Sequence, residues 1–233
     1  LNSAGTKLIY SAPENDTTAT VNVSMVVNGK TTNTTVNAYL KGYKETKNED
    51  NLVAYYSFDE VSKDSSGNGN DLTVKNVARG TDDARGQVEY FNGINAYLQA
   101  PYAVTSSDDI TLMAWVNSTN RNSWERIFDF GDGQGNSIFL TTHSYTPEAV
   151  RASYPGTAGE IQADSYSMMP ANKWEHVAMT VDSSAKTVNL YINGTLVSTK
   201  SISAAKNLTA LFTGTQNYIG KSQYDDPYFK GYM

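Results

Sequence analysis

Ile110-Thr-Leu-Met-Ala-Trp-Val116 alternates without a break: Ile110, Leu112, Ala114 and Val116 fall on one side, Met113 and Trp115 on the other. Successive side chains of a strand point to opposite faces, so a period of two with one apolar set gives a strand laid on a core. Similar short runs lie on both sides of it. Downstream come residues 126–130, 137–142 and 148–153, separated by polar or Gly-bearing turns. Residues 174–181 and 187–192 are joined by a loop opening Asp182-Ser183-Ser184, and Asn193-Gly194 then turns the chain into 196–200. Upstream, 87–91 and 96–100 flank the turn Asn92-Gly93-Ile94-Asn95, and 52–58 opens the series. Roughly ten strands at this spacing, with no helical period between them, predict an all-β antiparallel sandwich or jelly roll.

Composition agrees. The chain has 233 residues, of which only 18% are charged and 16 are Tyr. Helix-building runs of Ala, Leu, Glu and Lys are missing, whereas Tyr and Thr suit a pleated, half-buried surface. A net charge of −6 with scattered basic residues excludes nucleic acid as a partner, because phosphate binding needs a clustered basic face. The absence of Cys excludes a disulfide framework and thiolate metal sites. No apolar run reaches the length of a membrane span. Leu1 is not an initiator Met, so an excised or processed piece is expected.

Residues 1–47 read as a small separate β unit. The alternating stretch Thr18-Ala-Thr-Val-Asn-Val-Ser-Met-Val-Val27 meets Asn28-Gly29, which supplies the backbone freedom of a tight hairpin, and 31–40 returns as its partner. Two strands alone are marginal, so this unit is part of something larger. Residues 44–50 carry no apolar side chain and read as a linker.

From residue 51 the segments follow a recognisable order. Tyr55-Tyr-Ser-Phe-Asp59 opens, then come Asp64-Ser-Ser-Gly-Asn-Gly-Asn-Asp71 and Phe91-Asn-Gly-Ile-Asn-Ala-Tyr97. The Trp115 strand, Arg126-Ile-Phe-Asp-Phe-Gly131, Trp174-Glu-His-Val-Ala178 and Leu190-Tyr-Ile-Asn-Gly194 follow, with Ile219-Gly-Lys-Ser-Gln-Tyr-Asp-Asp-Pro-Tyr-Phe-Lys-Gly231 last. In this order the set resembles the laminin-G-like branch of the concanavalin A-like superfamily over residues 51–233. The N-terminal piece resembles the closing strands of a bacterial immunoglobulin-like domain. The resemblance implies a concanavalin A-like jelly roll preceded by a partial immunoglobulin-like β unit. It also implies a non-catalytic, carbohydrate-binding or docking module of a larger secreted or cell-surface bacterial glycoside hydrolase. The partner is then a glycan or the parent's catalytic domain. A pure spacer and a glycosidase in its own right are the alternatives.

Three groups of residues are candidates for a site. Asp64-Ser65-Ser66-Gly67-Asn68-Gly69 places oxygen side chains at alternate positions like the first half of a calcium loop, but Lys75 stands where an EF-hand needs its bidentate Glu. The family often holds one structural calcium near the opening strand. The resemblance therefore implies a calcium site from Asp59, Asp64, Asn68 and Asp71, with a self-satisfied polar turn as the alternative. Arg126 and Asp129 are expected at a strand edge, pairing with the Tyr224–Asp226 part of the closing loop or meeting ligand. Sugar binding uses aromatic faces beside fixed polar groups. Trp124, Tyr145, Tyr154 and Tyr166, with Arg151 and Gln162 nearby, offer such groups in or beside the middle turns, where strand-end packing is the alternative reading. Arg126, Asp129, Tyr224 and Asp226 complete the candidate ligand-binding set.

Catalytic signals are weak. No G-x-S-x-G elbow is present, and His143 and His176 are too few for a usual zinc site. Glycosidases of this sandwich carry carboxylates spaced Glu-x-Asp-x-x-Glu on one strand. The nearest stretch, Glu160-Ile-Gln-Ala-Asp164, has the wrong spacing and lacks the third acid. In the family pattern a further strand follows the equivalent of residues 228–233 and lies beside the opening one. Residues 52–58 are therefore expected to be completed by a continuation of the chain or by a second polypeptide.

Overall fold

The computed structural model describes residues 17–40, 51–203, 207–211 and 216–233. The chain divides into two units, Leu1–Asn51 and Leu52–Met233. In the first, β1 (Thr17–Val27) and β2 (Lys30–Leu40) pair antiparallel from Thr17↔Leu40 to Val27↔Lys30. Asn28 and Gly29 turn between them at φ 49° and 74°, the positive values that suit a two-residue hairpin. The expected linker, residues 44–50, and the flanks of the hairpin, residues 1–16 and 41–43, lie outside the described residues.

The second unit contains β3 (Thr73–Lys75), β4 (Ala78–Asp82), β5 (Gly86–Asn92), β6 (Tyr97–Ala100), β7 (Ile110–Ser118), β8 (Arg126–Gly131) and β9 (Ser137–Thr141). After them come β10 (Arg151–Gly156), β11 (Gly159–Asp164), β12 (Glu175–Asp182), β13 (Thr187–Ile192) and β14 (Thr195–Ser201). A single helical turn, α1 (Leu208–Leu211), precedes β15 (Gln216–Ile219) and β16 (Lys230–Tyr232). These strands form two seven-stranded sheets. The first runs β11-β10-β9-β8-β15-β6-β3 and the second β14-β13-β12-β7-β16-β5-β4. All of their ladders are antiparallel. The late strands are interior: β15 lies between β8 and β6, and β16 between β7 and β5. The sandwich expected from the alternation is the one observed, with no described helix long and apolar enough to cross a membrane.

The core follows from the alternation. On β7, Val116 is buried and Ile110, Leu112 and Ala114 pack against the core, while Met113 and Trp115 stay exposed on the outer face. Phe91 and Phe229 meet edge to face at 5.6 Å, the arrangement that the ring quadrupoles favour. Gly220 packs directly on this pair: at φ +81°, its added Cβ would come within 2.5 Å of Phe91. The central strands β8, β9 and most of β10 are buried on both faces, so loops cover the outer side of the first sheet as well. Buried side chains there include Arg126, Asp129, Arg151 and Ser153.

Residues 52–58, expected as the opening strand, form no strand. The following loop takes over their backbone groups. Tyr55 N–H donates to Asp64 Oδ1 (3.0 Å), and the Asn68 and Asn70 carboxamides donate to the Leu52 and Val53 carbonyls (2.6 and 2.7 Å). Tyr55 O accepts from Ser65 N–H at 2.7 Å. Side-chain amides and a carboxylate thus occupy positions that a neighbouring strand would otherwise fill.

The same bonds engage two of the carboxylates of the expected calcium site. Asp64 accepts from the backbone N–H groups of Tyr55, Ser66 and Asn70 and from the Ser66 hydroxyl. Asp71 accepts from Lys63 Nζ (2.7 Å) and from Asp64 N–H (2.9 Å). Calcium needs free oxygens converging on one point, and here N–H donors, a hydroxyl and an ammonium hold those of Asp64 and Asp71. Burial raises the Asp64 pKa, but the Tyr55, Ser66 and Asn70 donors outweigh it and hold the carboxyl below its ordinary value. Asp64 and Asp71 thus have their carboxylates engaged within the loop, and no group of three or more His, Cys, Asp or Glu able to hold a metal occurs among the described residues.

Two buried carboxyls flank β16. Glu89 on β5 exchanges both backbone hydrogen bonds with Met233 (2.8 and 3.0 Å), and neither of its carboxyl oxygens has a partner. Glu125, just before β8, has one oxygen bonded by Asn122 at 3.2 Å and the other unpartnered. Desolvation pushes both up to about 7, with Arg79 opposing it weakly at Glu89 and the Asn120, Asn122 and Lys230 neighbours at Glu125.

Four outcomes are expected. Gly220→Ala should cost about 2–4 kcal/mol in a denaturant titration, from its left-handed backbone together with overpacking against Phe91. Asp64→Ala should cost about 1–2 kcal/mol. A chelator should leave the melting temperature of the parent protein unchanged, and a chelator-induced fall would restore a metal site to this loop. Glu89 and Glu125 bind their protons more tightly folded than unfolded. Their contribution is therefore present in acid and is lost as pH rises from about 4.5 through 7, on the order of 1–3 kcal/mol each. Melting temperature should decline over that interval, and Glu89→Gln with Glu125→Gln should flatten the decline.

Candidate functional site

The covered outer face of the first sheet is organised around Arg126. Strand alternation sends Ile127 into the core, and a register shift between Arg126 and Phe128 leaves Arg126 and Asp129 close together. Arg126 Nε donates to Asp129 Oδ2 at 3.2 Å, Nη2 to Asp226 Oδ2 at 3.0 Å and Nη1 to the Trp124 carbonyl at 2.9 Å. The guanidinium stacks 4.0 Å from the centre of the Phe139 ring. Arg126 is 2% exposed and Asp129 0%, so the pair is fully inside the protein. Burial pushes the Asp129 carboxyl up, while Arg126, the Ser137 hydroxyl and the Gln223 backbone N–H pull the other way.

The loop between β15 and β16 closes over this charge. Gln223 N–H donates to Asp129 Oδ2 (3.1 Å) and its carboxamide to Asp129 Oδ1 (3.3 Å). The Gly133 N–H donates to the Gln223 side-chain oxygen. The Ser222 hydroxyl donates to Asp226 Oδ2 (2.8 Å) and accepts from Tyr224 N–H (3.0 Å). Every residue from Ser222 to Tyr224 is thereby fixed to β8 or to its own loop. Tyr224 is held through its backbone N–H and is 37% exposed.

Beneath Tyr224 lies a recess of about 200 Å³, walled by Ser137 and Phe139 of β9, Pro155 and Gly156 of β10, Gly159 and Glu160 of β11, and Gly135. It exists because the residues at this end are small. At Gly156 an added Cβ would come within 2.6 Å of the Gly159 carbonyl, and Gly159 itself turns at φ +122°. Glu160 is exposed, and Gln162 Nε2 reaches its carboxylate at 3.4 Å. The recess therefore offers a tyrosine ring, an apolar floor and a single carboxylate.

The other expected ligand residues fall elsewhere. Arg151 and Trp124 lie on this sheet face beyond Arg126. Arg151 grips Asp164 through Nε and Nη2 (2.7 and 3.0 Å) and the Thr146 carbonyl through Nη2 (3.3 Å). The Trp124 ring lies 5.6 Å from the Arg126 guanidinium and 5.5 Å from that of Arg151. Tyr145 projects from the neighbouring loop, 73% exposed. Tyr154 is a correction: it is 2% exposed and belongs to the core cluster, because on β10 Ala152 and Tyr154 point inward while Arg151, Ser153 and Pro155 point outward. Sequence reading did not single out Phe139, Ser137, Pro155 or Gly156, and it noticed Glu160 only as a misplaced acid. A Gly-rich turn opposite an aromatic-bearing loop was the one available signal.

Residues 91–233 match the laminin-G-like family described as the concanavalin A-like lectin/glucanases superfamily. No curated protein sequence matches the chain. Among solved structures it is similar to domain 4 of AbnA, a GH43 extracellular arabinanase from Geobacillus stearothermophilus, solved in complex with arabinotriose. That likeness has a TM-score of 0.64 and 23% identity, and covers 78% of this chain and 88% of that one. It is also similar to the CBM40 module of the Ruminococcus gnavus IT-sialidase, with a TM-score of 0.50 and 16% identity over 63% and 85% of the two chains. From the family match and the two antiparallel sheets, the chain belongs to the laminin-G-like family of the concanavalin A-like superfamily.

Proposed function

We propose that the chain is a non-catalytic carbohydrate-binding module of a larger secreted bacterial glycoside hydrolase, and that it binds glycan in the recess under Tyr224. The observation that carries the reading is the pinned, half-exposed tyrosine over a small, open, polar-edged recess. A sugar ring presents C–H groups on its faces and hydroxyls at its rim, which suits an aromatic face beside a few fixed polar groups. The fold supports the reading through its likeness to domain 4 of the arabinanase AbnA, which was solved with arabinotriose.

A catalytic role is disfavoured by spacing. Glu160 and Asp164 share one face of β11, four residues apart, which puts them about 13 Å from each other at roughly 3.3 Å per residue. Glycosidase pairs stand at about 5–5.5 Å or 6.5–9.5 Å. Asp164 is moreover held in its ion pair with Arg151.

Calorimetric titration of the whole chain with a panel of oligosaccharides should give binding to at least one member. Tyr224→Ala should weaken it at least tenfold with an unchanged melting curve. Asp226→Ala should weaken it as well, by releasing the loop. Binding that is indifferent to Tyr224 would place the site elsewhere, and turnover of the panel would overturn the non-catalytic reading.

A further inference from the structure

We infer that the Tyr224 recess selects an uncharged sugar residue and rejects carboxylate-bearing ones such as uronic or sialic acids, a conclusion that rests on the glycan-binding reading above. A sugar carboxylate is recognised by a cation with free donors, above all by a guanidinium fork. Two guanidiniums lie on this face of the sheet, and both are engaged within the protein. Arg126 directs Nε, Nη1 and Nη2 to Asp129, the Trp124 carbonyl and Asp226. Arg151 directs Nε and Nη2 to Asp164 and the Thr146 carbonyl. They are 2% and 3% exposed, so neither can turn toward a ligand without opening a buried ion pair. Lys221, another cation of the region, rests its Nζ 3.9 Å above the Tyr218 ring, and neither it nor any other Lys or Arg lines the recess.

The local field has the opposite sign to the one an anion needs. Arg126 and Arg151 are paired with the carboxyls of Asp129, Asp226 and Asp164, and Glu160 adds a further acid at the recess wall, so the balance of these groups is not positive. Glu160 is the only ionisable group besides Tyr224 among the recess walls. An ionised carboxylate is purely an acceptor, so it pairs with sugar hydroxyls and repels a second carboxylate. At about 200 Å³ the recess is below the roughly 300–1,000 Å³ of pockets for drug-sized ligands, which limits it to about one ring with the remainder of the chain outside.

The experiment titrates the whole chain with arabinotriose as the neutral probe and with 3′-sialyllactose and a digalacturonate as anionic probes, at low and moderate salt. Neutral binding should be at least tenfold tighter than either anionic probe and insensitive to salt. Glu160→Gln should weaken neutral binding several-fold, and Glu160→Lys should shift preference toward the anionic probes, both with unchanged melting curves. Anionic binding as tight as neutral binding, or neutral binding unaltered in both Glu160 variants, would overturn the inference and leave the glycan-binding reading standing. Failure of all three probes, extended to the full neutral panel, would overturn both.

Discussion

A guanidinium inside a protein must be surrounded by acceptors, because an unpaired charge in a low-dielectric interior is too costly to persist. Arg126 is such a group, and satisfying it fixes much of what surrounds the candidate site. Asp129 comes from its own strand, Asp226 from a loop 100 residues later in the chain, and the Trp124 carbonyl from the turn before. Asp129 in turn has oxygens to fill and takes them from Gln223, which brings the loop down onto β8. Tyr224 follows Gln223 in sequence and so has little choice of position. The ion pairs do not contact the proposed ligand. They hold the aromatic group that does, so the binding geometry is set by electrostatics from beneath the surface.

Much of the fold was legible because its strongest strands are half-buried, and half-burial writes itself as alternation. β7, β12 and β13 carry that signal plainly. β3, β4, β11, β15 and β16 do not. β16 is the three residues Lys230-Gly-Tyr232, and β4 includes Arg79, Gly80 and Asp82, so neither presents an apolar period to read. These strands exist because their partners supply backbone pairing. Residues 52–58 failed in the opposite sense. Their sequence alternates with aromatics as a strand should, but Asp64, Asn68 and Asn70 compete for the backbone groups, and hydrogen bonding by nearby side chains prevails over β propensity.

The site was legible only in part, for a related reason. Arg126, Asp129 and Asp226 are brought together by the family resemblance, in which their two segments occur together. The recess depends instead on what is missing: no side chain at Gly135, Gly156 and Gly159, and a short one at Ser137. Absence of bulk has no chemical signature along a chain. Tyr154 shows the converse, since a tyrosine next to a turn reads the same whether it faces solvent or core, and only strand parity relative to Arg151 separates the two.

The placement of β15 and β16 bears on how the molecule assembles. Each sheet has a gap in its interior until residues 216–232 arrive, since β8 cannot be linked to β6, nor β7 to β5, without them. Most ladders before that point are local, while the closing ones join residues more than eighty positions apart, and long loops must be ordered before those contacts form. During synthesis the emerging chain therefore carries two half-sheets with open edges, a state prone to pairing with neighbours. Folding should be slow and governed by the pairing of β15 and β16.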